Sequence, residues 1–213
     1  MLQPRKMKYD KAGPKVVENL KKRHFDAYYF STREEAVAKV MELIPEGDSV
    51  SWGGTATVDE LGIKDLLRKR GQKLLDRDTA ADMDERMEIM RQGLTADTFL
   101  TSSNAITESG ELYNIDGNGN RVAAMIFGPK SVIVVAGMNK VVYDMDEAYA
   151  QVRHYTAPQV VQRFPNAKTP CNVTGMCADC KGEDSCCAYM VETRVCRPAG
   201  KIKVILIGED LGL

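Results

Sequence analysis

Six cysteines fall between Cys171 and Cys196, in the order Cys171, five residues, Cys177, two residues, Cys180, five residues, the adjacent Cys186 and Cys187, eight residues, Cys196. The pair Cys177-Ala178-Asp179-Cys180 puts two thiolates within reach of one metal centre. Cys171 and Cys186, or Cys187 in place of Cys186, complete four ligands once the loop folds back. The spacing is neither the double CxxC of a zinc knuckle nor the regular run of a bacterial ferredoxin. Iron–sulfur, zinc and free or paired thiols are therefore all open readings of the segment. Lys181 and Arg194 would make a thiol reactive by lowering its pKa, if the fold brings them close.

A second chemistry is anion binding. Gly53-Gly54-Thr55-Ala56-Thr57 lies between an expected strand and an expected helix. Its glycines allow close backbone approach, and the first amides of the helix with the hydroxyls of Thr55 and Thr57 could receive a carboxylate or phosphate. The loop lacks both the GxGxxG pattern and the P-loop lysine, so no nucleotide is implied. The plainer reading is a tight joint capped by Thr57. Lys140, reached through Gly137-Met138-Asn139, would supply the countercharge, and its alternative is a solvated lysine at a helix start. In Asn104-Ala105-Ile106-Thr107-Glu108-Ser109-Gly110, Glu108 could act as nucleophile, base or hydrogen-bond acceptor, or simply order its loop. The ligand-binding set is thus Gly53, Gly54, Thr55, Thr57, Asn104 and Asn139, with Glu108 and Lys140 as catalytic candidates. His24 and His154 are not spaced as a metal pair, Arg121 reads as a strand-edge charge, and Trp52 reads as core.

These residues need elements to position them. Val16, Val17, Leu20 and Phe25 repeat at helical spacing, Ala27–Phe30 reads as a strand, and Ala36, Val37, Val40, Met41 and Ile44 line the next helix, which Ser31 and Glu34 would cap. Ser49–Trp52 and Lys73–Leu75 read as strands, and Met83–Leu94 as a helix. Alternation of this kind describes helices on a largely parallel sheet. Closer-set strands are then expected at residues 98–101, 105–107, 111–115, 121–127 and 131–136, with a hairpin at Gly117-Asn118-Gly119-Asn120. Val132–Val135 is apolar on both faces and belongs in the middle of a sheet. Residues 144–155 read as helix, the cysteine segment as loop with at most short helical turns, and Ile202–Ile207 as a strand returning to the main sheet. The expectation is one domain over residues 1–213, with a cysteine-rich insertion at 168–197 held at both ends.

A mass of 23.6 kDa suits one domain with an ample core. Hydrophobic residues make up 44% and charged residues 28%, which points away from fibrous and disordered classes. With 29 basic against 30 acidic residues there is no basic field to draw a nucleic acid. The sequence shows no apolar leader and no membrane-spanning run, so a cytoplasmic protein is expected, one in which clustered thiols are more readily ligands than a disulfide scaffold. A homodimer is the base-rate expectation.

Three stretches, Ser51–Gly62, Asn104–Gly110 and Val134–Val142, resemble in sequence and order the LUD-domain family of lactate utilisation proteins, the similarity spanning roughly residues 10 to 160. The resemblance implies a Rossmann-like α/β sheet like that of the sugar-phosphate isomerase and CoA-transferase superfamily, with a smaller strand-rich lobe. It implies an accessory role in lactate utilisation or organic-acid metabolism, a small organic acid or other anionic metabolite as ligand, and the subunits of lactate oxidation as partners. Glu108-Ser109-Gly110 is similar in outline to the covalent glutamate of CoA transferases, which gives the alternative of CoA or acyl transfer through Glu108. A third alternative is an iron–sulfur or thiol-based redox or interaction protein. The cysteine segment is similar to one found in a branch of the family.

Overall fold

Ile202–Ile207 is apolar except for the half-buried Lys203 and is buried along the rest of its length, because as strand β10 it lies inside a sheet. The computed structural model describes all residues 1–213. Six parallel strands form the main sheet in the order β1 (Asp26–Phe30), β10, β7 (Ser131–Gly137), β4 (Thr98–Thr101), β2 (Ser49–Trp52), β3 (Lys73–Leu75). Helices α1 (Gln3–Lys22), α2 (Arg33–Glu42), α3 (Ala56–Glu60), α4 (Ile63–Lys69) and α5 (Met83–Gln92) connect and cover them.

Alternation along β7 shows how both faces are used. Val132, Val134 and Ala136 meet Val16, Val17 and Leu20 of α1, while Ile133 and Val135 join Ala36, Val40, Val58, Ile63 and Leu67 of the opposite layer. Such a strand must be apolar throughout, which is what its sequence offers.

A second sheet has the order β8 (Val141–Val142), β5 (Ala105–Thr107), β6 (Leu112–Asp116), β9 (Tyr189–Thr193). It is covered by α7 (Met145–Gln151), whose Ala148 packs with Ala105, Tyr113, Ile115 and Val142. A π-helical turn, Val152–Thr156, joins α7 to α8 (Ala157–Val161), and α9 (Pro170–Thr174) opens the cysteine segment. No helix is long and apolar enough to cross a membrane.

Several expectations are corrected. Residues 121–127 are not a strand: α6 (Asn120–Ile126) occupies them, so Gly117–Asn120 leads from β6 into a helix and forms no hairpin. The apolar set Val122, Ala124 and Met125 packs as a helix face, a pattern too short for its period to be read from sequence. The cysteine segment contains β9, whose Tyr189–Thr193 pairs antiparallel with β6 and ties it to the smaller sheet. Thr32 stands at the start of α2, in place of the expected Ser31 cap.

The turn after β5 fixes the small sheet against α1. Glu111 accepts hydrogen bonds from Thr107 and Ser109 and pairs with Arg23, while Arg23 Nε also donates to the Ser109 carbonyl (2.7 Å). Gly110 has φ +94°, and a side chain there would bring its Cβ within 2.8 Å of the Leu20 backbone nitrogen. Gly110→Ala is therefore expected to cost about 1–3 kcal/mol through backbone strain and overlap with α1, read as a lowered urea midpoint with an unchanged slope.

Candidate functional site

Strands β2, β4 and β7 run parallel, so Trp52, Thr101 and Gly137 all end at one edge of the main sheet. The chain leaves β2 towards β3 on one side and returns to β4 on the other, so the edge between β2 and β4 is a topological switch point, where open α/β sheets place ligands. The loop Gly53–Thr57 occupies this edge.

Lys140 is the central side chain. It is 5% exposed, on the short helical turn that comes after β7. Its Nζ donates to Thr57 Oγ1 (3.1 Å) and Ser102 Oγ (3.0 Å), and no carboxylate lies within ion-pair distance of it. Two neutral hydroxyls do not replace the hydration of an ammonium. Burial, reinforced by the positive charge of Arg121, pulls its pKa down to about 8. Lys140 is thus not the solvated lysine at a helix start of the alternative reading.

Arg121 is the second buried cation, and sequence reading missed it by placing it on a strand edge. From α6 it donates to Asp116 (3.3 Å), Asn114 (3.3 Å), Asn104 (2.9 Å) and the Ile115 carbonyl (2.6 Å). Asn104 therefore anchors Arg121 and also accepts from the Ile115 N–H (3.0 Å). The aliphatic part of Arg121 lies against Gly53, where an added Cβ would come within 3.1 Å of it. On the other side of the loop a Cβ at Gly54 would come within 2.9 Å of Arg77 Nη2. The two glycines thus admit two arginines to one stretch of backbone.

Thr55, not Thr57, caps α3, accepting from the Val58 N–H at 3.4 Å, and Thr57 turns inward to Lys140. Asn139 acts on the cover of the site. Its Oδ1 accepts from the Leu211 N–H (3.0 Å) and its Nδ2 donates to the Leu211 carbonyl (3.4 Å), while the Gly212 N–H donates to Glu60 (2.9 Å). Gly212 lies directly over the pair, since a Cβ there would be 2.5 Å from Thr57 Oγ1 and 3.3 Å from Lys140 Nζ.

Openings flank the covered lysine. A polar cleft of about 370 Å³ lies outside Gly54 and Thr55, lined also by Lys64, Arg77, Asp78 and Arg163. A wider one of about 580 Å³ is bordered by Asn139, Gln151, His154, Tyr155, Gly212 and Leu213.

Glu108 is not brought into this arrangement. In the parallel pairing of β5 with β8, Thr107 is opposite Val142, so Glu108 lies beyond the end of the pair, while Lys140 precedes it. Its side chain is exposed, its N–H donates to the Val142 carbonyl (2.8 Å) and its carbonyl accepts from Asn19 (2.9 Å). The carboxylate that orders the turn is the neighbouring Glu111.

Of the cysteines, Cys171, Cys177, Cys180, Cys186 and Cys187 line one small cavity, and Cys196 is apart from them in the main core. All six are free thiols, and no group of three or more His, Cys, Asp or Glu side chains is placed to hold a single metal ion. Lys181 is exposed and pairs with Asp179 (3.5 Å).

The family model of the LUD domain matches residues 13–207. No curated protein matches the chain. Among solved structures, the crystal structure of a DUF162 family protein from Deinococcus radiodurans at 1.70 Å aligns with 93% of this chain and 98% of its own, with a TM-score of 0.51 and 13% identity. That likeness is one of fold.

The lysine's electrostatics has a measurable consequence. Below pH 8 Lys140 is charged in both folded and unfolded chains and its burial penalty is fully present. The penalty is lifted as pH rises through about 8 towards the ordinary value of 10.5. Lys140→Met removes the charge and leaves Thr57 and Ser102, 3.4 Å apart, to bond each other. The variant is expected to be more stable than the parent at neutral pH by about 3 kcal/mol. Urea titrations should show the difference shrinking at about pH 10.

Proposed function

We infer that this chain, which belongs to the LUD domain family, binds a small carboxylate against Lys140 and serves organic-acid metabolism through that site. The family is associated with lactate utilisation. The reading extends this to a ligand of the size and charge of a hydroxy or keto acid, and to an accessory role beside the subunits that oxidise lactate. Glu108 has no part in it, because it lies beyond the switch-point edge.

The observation that carries the reading is a buried ammonium without a counterion at the carboxyl ends of β2, β4 and β7. A carboxylate there would replace the missing negative charge. Ser102 and Thr57 can each turn a hydroxyl proton towards its second oxygen while still accepting from Lys140. Arg121, one loop away and already engaged by Asp116, adds to the positive potential without needing to touch the ligand. Entry is by displacement of Leu211–Leu213, since Gly212 covers the lysine and the 580 Å³ cleft opens on the outer side of the same residues. Asn139, released from Leu211, then faces the incoming acid.

Binding an anion stabilises the protonated lysine, so affinity is highest below pH 8 and declines as Lys140 loses its proton. Calorimetry with lactate, pyruvate and acetate on the parent protein should show binding that weakens above about pH 8, with proton uptake when the titration is made near that pH. Lys140→Met should abolish binding while raising the melting temperature. Binding that survives in this variant would place the acid elsewhere.

A further inference from the structure

Five thiols around one enclosed space are not explained by the carboxylate site. Cys171 sits at the start of α9, 8% exposed, and its carbonyl is held by Gln162 (3.1 Å). Cys177 and Cys180 lie on the next loop, where Asp179 takes φ +49° and turns the chain so that both thiols face inward. Cys186 and Cys187 close the cage, their sulfurs 3.9 Å apart, and Ala157 and Pro158 of α8 with Ala178 form its apolar walls.

We propose that this cage is the seat of a four-iron iron–sulfur cluster ligated by Cys171, Cys177, Cys180 and Cys186, with Arg153 as its countercharge. Three observations carry the assignment. The thiols share a cavity, yet no three converge on a point that could hold a single ion. A cubane does not need such convergence, because each thiolate binds a different iron and the four sulfurs stand apart around an inorganic core.

The second observation is Arg153. It projects from the π-helical turn into the cage, is 6% exposed, and its buried Nε–H has no acceptor. Its Nη2 donates to Asp179 (2.6 Å) and approaches Cys177 Sγ (3.5 Å). A thiolate-ligated cluster is an anion studded with sulfur acceptors, which supplies the hydrogen-bond partner that the Arg153 Nε–H lacks.

The third observation selects the fourth ligand. Cys186 and Cys187 have their sulfurs 3.9 Å apart, and Cys187 packs against the core of the smaller sheet beneath α7, which leaves Cys186 as the one of the pair free to turn to iron. Between them the side chains leave room for about one water, about 10 Å³, so loading moves the exposed loop from Gly175 to Gly182 outward. Each ligating thiol gives up one proton as its sulfur binds iron, and two ferrous ions, two ferric ions and four sulfides make up the core without net electron transfer.

The test is anaerobic reconstitution of the full chain with equal amounts of ferrous and ferric iron and with sulfide, then metal and acid-labile sulfide analysis and visible and electron paramagnetic resonance spectra. About four irons and four sulfides per chain are expected, with a broad visible band that dithionite bleaches. Serine at 171, 177, 180 or 186 should lower iron content at least twofold in variants whose circular dichroism matches the parent, and Cys187→Ser should keep the full complement. Arg153→Met should retain the cluster and lower its reduction potential, since removal of a nearby positive charge disfavours the more negative reduced state. One zinc per chain without sulfide, or a colourless metal-free protein after reconstitution, would overturn the proposal. Equal loss of iron in Cys187→Ser would overturn the ligand assignment.

Discussion

Strand β10 is the constraint on which the rest of the molecule depends. It lies between β1 and β7, with Ala27 to Phe30 paired to Val204 to Ile207 on one side and Val132 to Gly137 paired to Ile202 to Ile207 on the other. Without it, β1 and the covering helices α1 and α2 have no sheet to join. The chain supplies this strand only after the cysteine segment, so the main sheet cannot close until that segment has returned. Closure joins contacts far apart in sequence, a topology with a high entropic cost before its contacts form. The strand also sets the course of the last residues. The Gly208 N–H donates to the Phe30 carbonyl and Glu209 is bound by Arg33, which directs Leu211 and Gly212 across the end of the sheet.

That edge holds a positive charge, on Lys140, that the fold itself does not neutralise. Lys140 has only hydroxyls as close partners, and Arg121 shares a single carboxylate, Asp116, at 3.3 Å. Burial pulls the pKa values of both cations down, and the charge of Arg121 adds to the effect on Lys140. A core selected for stability alone would not keep two like charges here, since apolar replacements of similar size are often neutral or stabilising. Lys140 is the charge that the proposed carboxylate would answer, and the glycines at 53 and 54 let two arginine side chains lie against the neighbouring loop.

The parallel sheet was legible because burial on both faces demands continuous apolar runs, and Val132–Val135 and Val204–Ile207 are such runs. Gly53-Gly54 and Lys140 were legible as a strand-end loop and a strand-end cation. Arg121 was not, because the short apolar run Val122–Ile126 fits a strand as well as a helix, and only packing between β6 and β7 decides for α6. Glu108 drew attention through its setting between Thr107 and Ser109-Gly110, yet Glu111 three residues on makes the ion pair and hydrogen bonds of that turn. Sequence spacing carries no information on which of two nearby carboxylates faces inward when the strand ends at Thr107.

One helical unit touches both special regions. Gln151, His154, Tyr155 and Gln159 border the cleft beside Gly212, while Arg153, Ala157 and Pro158 line the cysteine cage from the other side. The π-helical turn widens the helix between α7 and α8 at the residues that must face both ways, and such turns recur at functional sites. Gln151 also reaches the Asn139 carbonyl at 3.5 Å, so the backbone that carries Lys140 and the backbone that carries Arg153 are in contact through this unit. Any energetic coupling between an acid at Lys140 and a change of charge among the sulfurs has this short path available. Its size is set by how differently Arg153 is held by Asp179 and by sulfur in the two charge states, because a ligand shifts an equilibrium only by its differential affinity for the alternatives.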